Sequence, residues 1–236
     1  MLKILPSFLF ILLVTAAGAQ KTFNDPNAEV RQASGFHAIS VSNAFNVYLT
    51  QGTAEAVAVS AADQKGRDQI LVEVKNGILY IGLKKDAWKL FKGNRKLKAY
   101  ISCKNIDRLD ISGATDLFIQ GTLKADDLRI DVSGASNAKG VLEAKSMIID
   151  LNGASDMTAS GRVGNLKIVA SGASNFKGVE LSTDYCDARA SGASDIRITV
   201  NKELSAHASG ASDVKFKGQG VIRDIKTSGA GSISRI

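Results

Sequence analysis

Cysteine, proline, histidine and tryptophan are all scarce in this 236-residue chain, at two, two, two and one copies. Two cysteines, Cys103 and Cys186, cannot build the multi-bridge framework that holds small secreted domains together. They also fall at different phases of the strand pattern, which argues against their pairing. Pro6 and Pro26 both precede the region expected to fold, so nothing interrupts a long series of strands. His37 and His207 stand far apart in the chain, neither beside a Cys/His set at metal spacing. No G-x-S-x-G, Walker or dinucleotide fingerprint occurs. No cofactor is expected. Amphipathic helical periodicity is absent over any useful length, and beyond the N-terminal segment 1–19 no apolar run could span a bilayer.

That segment, 1–19, has the form of a secretory signal peptide. Lys3 precedes the apolar run 4–14, and Ala17-Gly18-Ala19 forms a small-x-small cleavage site before Gln20. No cysteine follows where a lipid anchor would need one. The mature chain is therefore expected in the periplasm, on the outer-membrane surface or outside the cell, with no transmembrane segment once the leader is removed. Export also argues against nucleic acid as a partner.

What the chain does contain is glycine, 22 residues of it, set in a phrase used seven times: ISGATDL, VSGASNA, LNGASDM, ASGASNF, ASGASDI, ASGASDV and TSGAGSI. The central glycines are Gly113, Gly134, Gly153, Gly172, Gly192, Gly210 and Gly229, a period of about 20 residues. Apolar residues recur two and four positions before the glycines, six before them in the middle coils, and four after, alternating with polar ones, as in a strand with one face buried. Leu128, Met147, Leu166, Cys186 and Leu204 form one such inward column, which assigns Cys186 to the core. A unit this short cannot hold a helical pair but suits one coil of a solenoid. The fold expected is all-β, a right-handed parallel β-helix with about 20-residue coils and less regular N-terminal strands. The phrase is then a corner: glycine allows the sharp bend, and the serines bond to backbone or to each other along the stack.

Stacked corners bring like residues together. The acidic column reads Asp116, Asn137, Asp156, Asn175, Asp195, Asp213, Ser232. Bare carboxylates about 4.8 Å apart in water repel by roughly 1 kcal/mol per pair, and the alternation with Asn removes much of that cost. Asp195 and Asp213 are the one adjacent acidic pair, a weak candidate for a shared cation. A second carboxylate column, Asp110, Asp131 and Asp150, would suit a polysaccharide-active enzyme. The repeat generates such pairs whether or not they act, and Arg108, Arg129 and Lys167 nearby point to charge balancing, so no catalytic residues are assigned.

Residues 20–34 are expected to be a flexible lead-in, and 35–236 one β-helical domain, irregular over 35–105 and regular over 106–236. In the irregular part Ser42-Asn43-Ala44-Phe45-Asn46 aligns with the corner phrase, and Asn76-Gly77 between alternating segments signals a tight hairpin. The sharpest electrostatic feature follows. Lys84, Lys85, Lys89, Lys92, Arg95, Lys96 and Lys98 surround Trp88 and Phe91, with Asp86 the only acid. Such a loop suits an anionic surface or acidic polysaccharide. Its candidate binding residues are Lys84, Lys85, Trp88, Lys89, Lys92, Arg95 and Lys96, with Tyr48.

The motifs F-x-x-I-x-V-S-N-A-F-N-V-x-L-x-Q-G at 36–52, V-K-N-G-I-L-Y-I at 74–81 and LDISGATDL at 109–117 resemble the "putative auto-transporter adhesin, head GIN domain" family over about residues 35–225. Asn43 stands where members more often have Gly, and Asn46 where Asp is usual. The resemblance implies a β-helix-like fold, a periplasmic or surface location and an adhesive role, and it supplies no catalytic residues. The chain therefore reads as a non-enzymatic cell-envelope protein that binds an envelope polysaccharide or surface protein. A structural envelope scaffold and a polysaccharide-active enzyme are the alternatives. The open ends of a solenoid also make a homodimer a partner to expect.

Overall fold

Alternation of buried and more exposed residues runs along most strands of the computed structural model, which describes residues 25–87 and 96–236. The N-terminal strands are β1 (Glu29–Arg31), β2 (Ala38–Val41), β3 (Phe45–Gln51) and β4 (Ala56–Ser60). A single helical turn α1 (Gln64–Arg67) follows, then β5 (Ile70–Lys75), β6 (Ile78–Leu83), β7 (Leu97–Cys103) and β8 (Arg108–Ile111). From there each coil is a long bent strand: β9 (Asp116–Val132), β10 (Asn137–Leu151), β11 (Asp156–Ala170), β12 (Asn175–Ala190) and β13 (Asp195–Gly210). The last coil is split among β14 (Asp213–Lys217), β15 (Val221–Gly229) and β16 (Ser232–Arg235). From β8 onward every pairing is parallel and joins equivalent positions of successive coils. The fold is an all-β parallel solenoid.

Uneven coil length is absorbed away from the glycine corner. The coil from Gly113 to Gly134 is longer by two than the one from Gly134 to Gly153. The excess lies between Phe118 and Thr122, which face Lys139 and Val141. Between β12 and β13 the register shifts at Gly178/Ser182 and again at Thr183/Tyr185. These irregularities fall at the opposite bend, so the corner phrases stay in register.

The inward columns fill one continuous core. Leu109, Ile130, Ile149 and Ile168 stack and then give way to Ala188 and Ala206. In the coil that carries Ala188 and Ala190, the inward residue after the corner is Phe176, fully buried. Gly178 makes room for it, since a Cβ there would lie 2.2 Å from the Phe176 ring. Large and small residues thus alternate within a coil to keep the interior close-packed.

At the corner two constraints meet on one residue. Gly153 has φ +80°, and a Cβ on it would sit 2.7 Å from the carbonyl oxygen of Gly134 in the coil beneath. That carbonyl accepts a 2.8 Å hydrogen bond from the Ala154 amide, so the interstrand ladder continues around the bend. Two residues past each of the first six corner glycines stands a buried hydroxyl: Thr115, Ser136, Ser155, Ser174, Ser194, Ser212. Ser194 Oγ lies 2.9 Å from the Ser191 carbonyl and 3.0 Å from the Ala170 carbonyl of the previous coil, and accepts from the Ser191 amide at 3.1 Å. These hydroxyls satisfy corner backbone groups that the turn would otherwise leave buried and unpaired.

The N-terminal half is hydrogen-bonded into the same stack, but its order in space is not its order in the chain. The β2/β3 coil lies between β6/β7 on one side and β8/β9 on the other. The chain therefore lays down its first coil, passes through β4, α1 and β5, and adds the next coil underneath. Antiparallel strands cover that end: β4 on β7, β1 on β4 and β5 on β6. Asn76 and Gly77 have φ of 51° and 74°, the two positive values a type I′ hairpin requires. The lead-in is bonded to the fold from Asp25 onward. Its carboxylate takes hydrogen bonds from Lys98 Nζ at 2.9 Å and the Tyr100 hydroxyl at 2.8 Å, and β1 adds a strand beyond β4. The leader, 1–19, lies outside the described residues.

Candidate functional site

The alignment of Asn43 with the corner glycines explains where the basic segment sits. Asn43 has φ 82°, and its carbonyl accepts from the Ala114 amide at 2.6 Å, as each corner glycine does for the coil above. Beneath it the equivalent corner joins β6 to β7, and there the short phrase is replaced by residues 84–96. The basic segment is thus an insertion at a glycine corner. The Asn43 side chain is used at this corner, its Oδ1 accepting from the Leu83 amide at 2.9 Å, and asparagine is among the residues that tolerate the left-handed backbone found here.

Of the predicted binding residues, Lys84 and Lys85 leave β6 exposed, and Lys96, also exposed, leads into β7 with φ 39°. Trp88, Lys89, Lys92 and Arg95 lie outside the described residues. Tyr48 is on β3, on the sheet that begins directly after the insertion. Its ring stacks on Tyr100 at 5.3 Å and on Phe118 at 5.5 Å, with interplanar angles of 13° and 20°. This aromatic ladder follows from register, since Tyr48 faces Tyr100 on one side and Phe118 on the other. Phe118 remains 38% exposed. Beyond it the same column continues as Lys139, Thr158, Lys177, Arg197 and Lys215. That basic column runs beside the corner acids, two residues away along each strand, so the face as a whole is balanced. The excess of positive charge is concentrated in the insertion.

The corner acids behave as the alternation predicted. Asn137 Nδ2 donates to Asp116 and Asn175 Nδ2 to Asp156, each at 2.7 Å. Asp195 and Asp213 do share adjacent rungs. Asp213 accepts from Ser232 Oγ and pairs with Lys215 at 3.3 Å, and these contacts hold its carboxyl below the ordinary range. Among the described residues no group of three or more His, Cys, Asp or Glu is placed to hold a metal ion.

The carboxylate column Asp110, Asp131, Asp150 forms as its spacing requires, and arginines occupy it. Arg129 donates to both Asp131 and Asp150, and Arg108 lies 3.2 Å from Asp131 and 3.9 Å from Asp110. Burial raises the Asp110 carboxyl, with Arg108 opposing and Asp131 adding to the shift. A carboxylate tied to a guanidinium is neither a free nucleophile nor a free base, so the column serves the stack. His37 and His207 each pair with an aspartate, Asp107 at 2.8 Å and Asp224 at 2.9 Å. Cys103 and Cys186 are buried, unpaired thiols, both raised chiefly by burial, to about 11 and about 12.

A second surface was missed by sequence reasoning. On the sheet leading into the corner, a shallow groove of about 390 Å³ runs past Tyr185, lined by Asn165, Lys167, Asp187 and Ser205 among others. Most of its residues fall in two outward columns, and the inward Met147, Leu166 and Cys186 with Arg223 complete the lining. The spacing of the columns was readable, but their relation to the bend beside Tyr185 was not.

No curated protein matches the sequence. Among solved structures, a "putative adhesin" from Bacteroides fragilis shares the fold with TM-score 0.80 at 21% identity, over 89% of this chain and 96% of that one. A "putative adhesin" from Parabacteroides distasonis follows with TM-score 0.71 at 16% identity, over 89% and 96%. A protein from the same organism described as a "putative lipid binding protein" has TM-score 0.65 at 17% identity, over 89% and 97%. These likenesses establish the fold. The model of the family described as "Putative auto-transporter adhesin, head GIN domain" matches residues 35–220, which carry the Asn43 corner, the basic insertion and six of the seven glycine corners, and the chain belongs to that family.

Proposed function

We propose that this protein is a non-enzymatic, exported binding module of the cell envelope, and that it recognises an envelope or surface glycan through the basic corner insertion and the aromatic ladder beside it. Family membership supports the adhesive class. The observation that carries the choice of surface is the placement of Lys84, Lys85 and Lys96 at the mouth of an insertion whose neighbouring sheet begins with the stacked Tyr100, Tyr48 and Phe118. Cations with an aromatic surface at hand suit an anionic saccharide, whose ring can lie on the aromatic edge while its acid meets ammonium groups. No helix among the described residues is long and apolar enough to cross a membrane, in keeping with a module presented at a surface. A homodimer formed through the ends of the stack is compatible with this reading, and sedimentation would detect it.

The test is binding of the mature protein to arrayed bacterial and host glycans and envelope extracts. A variant with Lys84, Lys85, Lys89 and Lys92 all changed to Gln is run alongside. Saturable binding that the variant loses supports recognition through the insertion. Absence of binding by both proteins, with unchanged circular dichroism, overturns it in favour of a structural role in the envelope.

A further inference from the structure

We infer that the groove beside Tyr185, on the sheet leading into the glycine corners, is a second binding site, and that it takes an acidic sugar residue. Tyr185 is on β12 and remains 43% exposed, although the Lys202 ammonium lies 5.4 Å from its ring centroid. Register places Ser146, Asn165, Tyr185 and Glu203 on consecutive rungs. One column nearer the corner stand Ile148, Lys167, Asp187 and Ser205. Rungs are about 4.8 Å apart, so the Asn165 amide is one rung from the exposed phenol ring, Lys167 and Ser205 stand diagonally to it on the neighbouring rungs, and Ser146 lies two rungs away. The groove, at about 390 Å³, falls in the size range of small-ligand sites, roughly 300–1,000 Å³.

Which groups are already engaged decides the ligand class. Asp187 is held by Arg189 at 3.0 Å, Glu203 by Arg223 at 2.5 Å, and Asp184 by Lys202 at 3.0 Å. Every acid at the groove thus has its cation. Lys167, Asn165, Ser146 and Ser205 have no side-chain hydrogen bond or ion pair with any described residue. The groove therefore offers one uncompensated positive charge, an amide and two hydroxyls around an aromatic surface. A sugar ring matches this set, with apolar C–H faces for the tyrosine and hydroxyls for the polar groups. The free ammonium selects a carboxylated sugar over an uncharged one. An apolar peptide or acyl chain would cover those polar groups without satisfying them.

The site is separate from the basic insertion, and its test keeps the two apart. Trigalacturonate and its uncharged counterpart galactotriose are titrated into the ¹⁵N-labelled mature protein. Saturable amide shifts centred on Asn165, Tyr185 and Ser205 are expected with trigalacturonate. Tyr185→Leu, with a spectrum otherwise unchanged, should weaken binding about tenfold, the scale of one lost aromatic contact. Lys167→Gln should abolish the preference for the acid over galactotriose. The fourfold lysine-to-glutamine variant of the insertion should leave these shifts in place. Absence of saturable shifts at these residues with either sugar, or equal binding by wild type and Tyr185→Leu, overturns the assignment and leaves the insertion reading to stand or fall by its own assay.

Discussion

Replacing Gly153 with alanine tests the corner directly, because two costs act there and a second glycine separates them. The left-handed backbone, φ +80°, costs an L-residue roughly 1–2 kcal/mol. The new Cβ would stand 2.7 Å from the Gly134 carbonyl oxygen and 3.2 Å from its nitrogen. Both are backbone atoms in a packed stack, so a coil must move and strain the Ala154–Gly134 hydrogen bond, which contributes about 1 kcal/mol. Against this, alanine restricts the unfolded chain and returns about 0.4–1 kcal/mol. The net expectation is a loss of about 2 kcal/mol, or about 4–8 °C in thermal midpoint for a chain of this size. Gly121 has nearly the same φ, +75°, with nothing within 4 Å of where a Cβ would stand. Gly121→Ala should therefore lose roughly 0–1.6 kcal/mol, about 1 kcal/mol less than Gly153→Ala. Urea and thermal unfolding of both variants, followed by circular dichroism, supply the comparison. Equal losses would refute the close-stacking argument and leave backbone conformation as the whole role of the corner glycine.

Three further outcomes are expected. Burial alone would raise the Asp25 carboxyl, but hydrogen bonds led by Lys98 and Tyr100 hold it below 3.8. The anchor it provides is therefore present at neutral pH and lost as acid takes the solution below the ordinary carboxylate range. The Val30 amide resonance on β1 should shift below about pH 4 and take the same shifted position at pH 7 in Asp25→Asn; a signal indifferent to both would sink the anchor. Cys103 and Cys186 are buried with raised thiol pKa values of about 11 and about 12, so a disulfide-exchange reagent at pH 8 should titrate both only after unfolding, and rapid reaction of the native protein would contradict the packing. Arg129→Ala should cost about 1 kcal/mol by leaving Asp150 without its cation beside Asp131, which keeps only Arg108; adding Asp131→Asn should restore most of that loss, and failure to do so would show that the arginine acts through packing.

The solenoid was readable because its defining residues recur at matching phase. Inward positions such as Leu128, Met147, Leu166, Cys186 and Leu204 stack as their spacing demands. The Asp/Asn alternation was legible as charge relief, since like residues at one column position must become neighbours. Two features were not. The column Thr115 to Ser212 consists of small polar residues, and a pattern alone does not tell a hydroxyl buried against corner carbonyls from one in water. The position of β6/β7 beneath β2/β3 was hidden because spacing gives distance along the chain, whereas insertion of a coil below its predecessor is a matter of spatial order. The basic segment was conspicuous in composition, but its identity as an expanded corner depends on that order. The Tyr185 groove depends on register irregularities at the second bend, where coil length varies.

Charge compensation links the stack to the two proposed binding surfaces. In a solenoid a polar residue chosen for one coil meets its equivalent about 4.8 Å away, and like charges at that distance repel by roughly 1 kcal/mol in water. This chain relieves the repulsion by alternation, as in Asp116 to Asn175, or by pairing across coils. Lys124 meets Glu143 at 2.7 Å, Lys145 meets Asp126 at 2.9 Å, and Lys202 meets Asp184 at 3.0 Å. Such pairs contribute little to stability individually, but their regularity gives a baseline of local neutrality. The crowd of cations across residues 84–96 departs from that baseline most, with Asp86 as its only acid, whereas Lys98, just after it, is paired with Asp25. Lys167 departs from it on the opposite sheet, an ammonium among acids that are already paired. Neither departure helps the coils to stack, because the insertion interrupts a corner and Lys167 bonds to no described neighbour. Charge that the fold does not need, placed beside aromatic surface that the core does not need, is what a binding surface for an acidic ligand requires.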